Sequence, residues 1–367
     1  MKIMKNLVMI VIVFSIAMIT CACPGPAGSN NKEIDGAGSG TLDDPFLVGS
    51  IDSLMKIGTQ IEGWDLDRHY KQINDIDLST ISNWSRIVYI FTGTYNGNNY
   101  KIKNLKINSP TVPRQGLFYM NYGTIKNVRL IDCDITGYYY VGGIAGDNSG
   151  NIENCSVTGN VNGITLYVGS IVGQNSGIVK NCYFKGVISG ESYIGGIVGE
   201  NRGEGIVETS YSIGNVSGYD YVGGVVGYNA QYIVKNCYST GNVSGRDNVG
   251  GIVGINTLTY AIVENCYATS DVSGRNNVGG IVGANQTASV KNCYAIGTVT
   301  GSSYFGGVVG KNNDIVQNCF SVEPDTYGTH FTANEYQSKT WHIDTLFWDF
   351  TTPIWKWNST RPILFFE

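Results

Sequence analysis

Cysteine recurs at Cys155, Cys182, Cys237, Cys266, Cys293 and Cys319, with Ser210 in the one remaining place of that series. Thiols at regular spacing can pair as disulfides or hold a metal ion. Two residues before them stands a second series, Glu153, Lys180, Glu208, Lys235, Glu264, Lys291 and Gln317. Its carboxylates are the residue type that acid–base catalysis uses. Directly after the cysteines come Tyr183, Tyr211, Tyr238, Tyr267, Tyr294 and Phe320, with Ser156 the only departure. A further series holds Tyr140, Tyr167, Tyr193, Tyr221, Asn248, Asn277 and Tyr304. Rows of tyrosine are amphipathic, the composition favoured at binding surfaces. Arg246 and Arg275 occupy equivalent places and add two cations.

All of these series share one period, and that period dictates the elements that carry them. The phrase apolar-Gly-Gly-apolar-apolar-Gly begins at Val141, Val168, Ile194, Val222, Val249, Val278 and Phe305, broken in its glycines only by Ser170. Two degenerate copies precede it, QGLFYMNYGTIKNV and YNGNNYKIKNLKI, so about nine turns are expected. Leucine-rich repeats lack their leucines here, and propeller blades need about 40 residues or more. Helical repeats are excluded by the glycine and β-branched content. A parallel β-solenoid remains, in which residues one repeat apart become neighbours about 4.8 Å apart.

Stacking then reinterprets each series as a column that must be compatible with itself. The first asparagine column, Asn148, Asn175, Asn201, Asn229, Asn256, Asn285 and Asn312, reads as a corner ladder of hydrogen-bonded amides in left-handed turns. Asn154, Asn181, Thr209, Asn236, Asn265, Asn292 and Asn318 read the same way. The alternating charge column sets register, because a slipped coil would pair like charges; its carboxylates are read as structural. From each cysteine, alternate residues are small or apolar, so the thiols face inward. In-register strands hold such side chains about 4.8 Å apart and parallel, whereas a disulfide needs Cβ atoms at about 3.8 Å. A buried free-thiol ladder follows, with no metal site and no cofactor expected. The tyrosine column Tyr183, Tyr211, Tyr238, Tyr267 and Tyr294 is expected to face solvent, as stacked rings or as a binding face. Arg246 and Arg275 would repel each other unless an anion bridges them or their chains splay into water.

Composition narrows the function. Charged residues make up 14% of 367, the net charge is −5, and glycine is present 49 times. No basic block offers a footprint for nucleic acid. Lys2 and Lys5 precede an apolar run over residues 7–20, long enough for a signal peptide and short of a membrane span. The run ends in TCAC, which resembles a bacterial lipoprotein signal. That resemblance makes Cys23 the lipidated residue, with Cys21 the alternative. The glycine, proline and serine content of residues 23–40 suits a flexible tether.

The GGIVG-x-N and Ile-x-Asn-Cys phrases resemble the GLUG-motif repeats of bacterial surface proteins, found also in immunoglobulin A peptidases outside the protease domain. The resemblance covers residues 91–320 and implies an all-β, right-handed parallel β-helix in an envelope protein. It implies no enzyme, and no His-Glu-x-x-His helix occurs in the sequence. The expected organisation is a signal peptide over 1–22, the tether over 23–40, an amino-terminal cap over 41–90 with a short helix over 52–57, the β-helix over 91–320, and a carboxy-terminal cap over 321–367. Tryptophans lie only in the flanks and are expected to cover the apolar ends. The functional expectation is a non-enzymatic lipoprotein at the outer membrane or cell surface, held to the membrane by its lipid and binding glycan or host matrix protein. Its candidate binding face is Tyr183, Tyr211, Tyr238, Tyr267 and Tyr294 with Arg246 and Arg275; no catalytic residue is expected. A polysaccharide lyase or hydrolase, and a purely structural envelope protein, are the alternatives.

Overall fold

The computed structural model describes residues 33–85, 87–323, 328–330, 342, 346, 348, 350, 354–358 and 361–364. The signal peptide, Cys21, Cys23 and Trp341 lie outside the described residues. The body begins at Ile34 and is a parallel β-solenoid of about ten turns. A complete turn has four short strands, as in Leu166–Gly169, Val172–Asn175, Ile178–Lys180 and Tyr183–Ser189. Each pairs in parallel with the equivalent strand one repeat later, so one sheet of nine strands, one of six, one of eleven and one of fifteen run along the stack. The register follows the columns: Asn148 opposes Asn175, Glu153 opposes Lys180, and Ser156 opposes Tyr183.

Glycine in the repeated phrase answers to backbone crowding. A Cβ on Gly250 would lie 2.0 Å from the Val253 carbonyl oxygen, and one on Gly251 would lie 2.1 Å from the Gly280 carbonyl oxygen of the next turn. The chain therefore doubles back tightly enough to stack Val249, Ile252 and Val253 inside, all fully buried. The cysteines complete this interior. Cys155, Cys182, Cys237, Cys266, Cys293 and Cys319 are buried free thiols, and each Sγ donates to backbone carbonyls, as Cys237 does to Lys235 O at 3.1 Å. Burial pushes the thiols of Cys182, Cys237 and Cys293 well above their ordinary pKa, which removes the thiolate that reactivity requires.

Both asparagine columns are ladders, of opposite sense. In the inner one Asn121, Asn148, Asn175, Asn201, Asn229, Asn256 and Asn285 each donate Nδ2 to Oδ1 of the next, ending on Asn312, at 2.7–3.0 Å. These residues end extended strands and are not left-handed, contrary to expectation, because the turn is made after them. The second column does adopt φ of 51–53° throughout. Its amides donate backwards, as from Asn181 to Asn154 at 3.0 Å and from Asn292 to Asn265 at 3.2 Å.

The charge column stays in register from turn to turn, and within it Glu208 bridges Lys180 at 2.9 Å and Lys235 at 3.1 Å. Burial opposes ionisation of Glu208, but the two ammonium groups outweigh it and hold the carboxyl below its ordinary pKa. This contribution is present above the unfolded value near 4.5 and is lost as pH falls through the lower folded value. Glu208→Lys sets three lysines on consecutive strands and is expected to lower stability by about 1–2 kcal/mol at neutral pH. Urea titrations at low and high salt check this, since high salt should restore part of the loss.

Two boundaries differ from expectation. The parallel stack reaches back to Phe46–Val48, which pairs with His69–Gln72, so the segment expected as a cap already forms turns. This segment lacks the glycine phrase that marks the later turns. The tether expected over 23–40 is folded from residue 34 on: Gly36 N donates to Leu47 O at 2.9 Å, and Asp35 accepts from Gly49 N at 2.6 Å. A helix does form, at Ile51–Lys56, capped by Ser50 with Ser53 answering in a capping box. Trp64, stacked on Phe46 at 4.7 Å, closes this end of the core.

Candidate functional site

The expected binding face is the first thing the structure alters. Tyr183, Tyr211, Tyr238, Tyr267 and Tyr294 stack face to face at 4.8–5.2 Å with interplanar angles of 4–8°. Four of the five do not face solvent. Tyr211, Tyr238, Tyr267 and Tyr294 are buried in one apolar cluster with Leu346, Trp348, Trp355 and Leu364. These last four residues, from the flank that was expected to cap the end, instead lie along the side of the solenoid. Trp348 stacks on Trp355 at 4.6 Å, its Nε1 donates to Asn292 O at 3.0 Å, and Tyr267 Oη donates to Pro362 O at 3.0 Å. Of the five tyrosines only Tyr183 stays half-buried at the margin of this cover. The physical reason is that a row of rings is itself an apolar strip, and the tryptophan-rich flank buries it.

Arg246 and Arg275 are corrected for a different reason. Arg246 grips Asp220 through Nε at 3.1 Å and Nη2 at 2.8 Å, and pairs with Asp247 at 3.1 Å. Arg275 reaches Asp247 at 3.2 Å. Asp220 and Asp247 sit in register on adjacent strands, so carboxylates and guanidinium groups interleave along the axis. The bridging anion is the protein's own, and Tyr219 covers the Arg246 guanidinium at 4.3 Å.

The other tyrosine series keeps part of its ring surface accessible. Tyr140, Tyr167, Tyr193 and Tyr221 are half-buried, and their rings stack at 4.7–4.8 Å with angles of 11–18°. Each holds a left-handed backbone, φ 54–62°, as do Asn248 and Asn277 in the next two turns and Tyr304 after them. Left-handed backbone costs a tyrosine about 1–2 kcal/mol, whereas asparagine accepts it readily. Along its flank runs a polar column in register, Asp147, Gln174, Glu200 and Tyr228. Tyr228 meets Tyr193 edge-on at 5.3 Å, and Arg114 caps the ladder over the Tyr140 ring at 4.8 Å while lying 3.7 Å from Asp147. Gln174 donates to Glu200. Burial raises the pKa of both Asp147 and Glu200 against the opposing influence of nearby guanidinium groups, Arg114 and Arg202 for the first and Arg202 for the second. It also pushes the Tyr167 phenol up to about 12.

Because the rings cover one another's faces, this ladder presents its edges and hydroxyls at the rise of the coil. It is suited to hydrogen bonding along an extended ligand, not to ring-on-ring stacking along its length. Among the described residues no group of three or more histidine, cysteine, aspartate or glutamate side chains could hold a metal ion, and no helix is long and apolar enough to cross a membrane.

Comparison with known proteins accords with this architecture. The GLUG motif matches residues 137–162, 218–244, 245–273 and 274–300; the turns between the first and second matches keep the same register. Halomucin of Haloquadratum walsbyi is 32% identical over 140 residues, 34% of this chain and 2% of that protein. A protein of Evansella cellulosilytica provisionally named a Gly-rich membrane protein is 34% identical over 171 residues, 43% of this chain and 19% of its own length. The chain thus spans a small part of these curated relatives. A crystal structure from Bacteroides ovatus, provisionally named an immunoglobulin A1 protease, shares the fold with a TM-score of 0.54 at 20% identity, over 91% of this chain and 96% of that one.

Proposed function

We propose, for a chain that carries the GLUG motif in four turns of a parallel β-solenoid, a non-enzymatic role in the bacterial cell envelope, in which the ladder of Tyr140, Tyr167, Tyr193 and Tyr221 binds a glycan or protein partner. The observation that carries this reading is the backbone of the ladder: four tyrosines sit in a left-handed conformation that Asn248 and Asn277 adopt without strain. A ring retained at that expense has a use, and phenol hydroxyls repeating about every 4.8 Å match the donors and acceptors of an extended chain. The names of halomucin and the Gly-rich membrane protein support an envelope location. The amino-terminal TCAC supports attachment through a lipid on Cys23, and a Cys23→Ser variant should lose incorporated palmitate.

The native sequence supplies the test variant. Replacing Tyr140, Tyr167, Tyr193 and Tyr221 by asparagine should leave circular dichroism and Tm near those of the parent, since asparagine already serves two turns. Binding on an array of glycans and matrix proteins should fall at least tenfold. Retained binding by the folded variant would move recognition to another face.

A second reading rests on Asp147 and Glu200, which stand two strand spacings apart, about 9.6 Å, with raised pKa values beside the tyrosines. That spacing lies near the upper limit of about 9.5 Å for two carboxylates acting with a water between them. Both are engaged, by Arg114 and Gln174, which favours the binding role. Release of reducing ends from a polysaccharide, abolished by Glu200→Gln, would establish the hydrolase instead.

A further inference from the structure

The covered tyrosine column stops one rung short of an arginine. In register along that face lie Arg129, Ser156, Tyr183 and Tyr211. Tyr183 stacks on Tyr211 at 5.2 Å through one ring face only. Its other face looks across Ser156, where the aromatic series has its single gap. Two strand spacings, about 9.6 Å, separate Tyr183 from Arg129. One ring fits midway, about 4.8 Å from each side, the spacing at which the rings of this column stack.

Several independent observations mark this gap as a place for a ligand. It is an open cleft of about 380 Å³ lined by Ser156, Tyr183, Arg129 and the asparagines 99, 127, 154 and 181. Ser156 is 2% exposed, and its Oγ has no hydrogen-bond partner; buried hydroxyls are ordinarily satisfied. The second asparagine ladder, which Thr209 interrupts further along, ends at the same turn. Asn181 donates to Asn154 and Asn127 donates to Asn96 at 2.9 Å, yet no bond joins Asn154 to Asn127. Finally, Arg129 is half-buried and takes part in none of the ion pairs or ring contacts of the described residues. One turn of the solenoid therefore offers a bare ring face, an unpaired guanidinium, an unsatisfied hydroxyl and amides released from their ladder.

We propose that this cleft binds a hexuronate ring, which takes the missing rung between Tyr183 and Arg129. The apolar face of a pyranose matches the tyrosine ring, its carboxylate matches the guanidinium fork, and its hydroxyls match the asparagine amides and Ser156 Oγ. An aromatic carboxylate would satisfy the ring and the arginine and leave the polar wall unanswered. The ligand is the acidic sugar, free or as one residue of a polyuronate. The site lies on a different face from the Tyr140 ladder, so the two can fail separately.

The test uses full-length protein in detergent and isothermal titration with a galacturonate trimer, free galacturonate and the methyl-esterified trimer. Binding of the acidic trimer at least tenfold tighter than its ester is expected, with free galacturonate distinguishing a monosaccharide site from one within a chain. Ser156→Tyr fills the gap from the protein's side; it should abolish binding while Tm stays level or rises. Arg129→Gln should weaken binding roughly tenfold or more. Equal affinity for acid and ester, undiminished binding by Ser156→Tyr, or no binding of any of the three sugars would overturn the proposal. The asparagine variant of the Tyr140 ladder should bind the trimer as the parent does.

Discussion

Replacing Asn201 by leucine will lower the unfolding free energy by about 3–5 kcal/mol, although leucine is similar in size and the site is wholly interior. Asn201 stands in the middle of the inner ladder. It accepts from Asn175 at 2.8 Å and donates to Asn229 at 2.8 Å and to the Gly205 carbonyl at 2.7 Å. Leucine strands all three partners in the buried interior, and each buried unsatisfied group costs about 1–3 kcal/mol. Asn312 is the control. It ends the ladder and is half-exposed: besides accepting from Asn285 it exchanges hydrogen bonds with Asp314, whose exposed backbone groups can turn to water; its leucine variant should lose less than about 1 kcal/mol. Urea denaturation followed by circular dichroism compares the two directly. Equal losses would show that the amides act singly and not as a chain.

Trp355→Ala is the second substitution with a large expected effect, and its signature is local. Trp355 is 2% exposed and packs on Trp348 and Tyr267. Truncating a buried tryptophan typically costs about 3–5 kcal/mol. In a solenoid each turn contacts chiefly its neighbours, so the cover should detach while the turns beneath persist. The expected result is nitration of Tyr238, Tyr267 and Tyr294 by tetranitromethane in the variant, their protection in the parent, and an unchanged far-ultraviolet spectrum. Equal nitration in both proteins would refute burial of the column.

These two substitutions also mark how far the sequence was legible. The Asn201 ladder could be read in advance because every turn repeats the same environment, so one column fixes seven positions at once. Register, inward thiols and the alternation through Glu208 followed from the same fact. Exposure of the tyrosine column did not, because what buries it comes from residues beyond 340, which share no period with the turns they cover. Trp348 and Trp355 were visible as an aromatic-rich flank, but nothing in their spacing says side rather than end. The arginine pairs were legible in principle: Asp220 and Asp247 stand in the column next to Arg246 and Arg275, and reading columns two at a time would have joined them. The strands from Phe46 onward lacked the phrase and so escaped the period. Ser156 was visible as a departure; its neighbours Arg129 and Asn154 give that departure a meaning.

The alternating charge column carries a consequence for heredity. Repeats of this kind grow and shrink when recombination duplicates or deletes whole units, and most columns here are indifferent to the number. The column of Glu153, Lys180, Glu208, Lys235, Glu264 and Lys291 is not, because its true period is two turns. Excising the turn of Lys235 would set Glu208 against Glu264, while excising two adjacent turns restores attraction. Viable length variants in this stretch should therefore differ by even numbers of turns, a parity rule written into the gene by electrostatics.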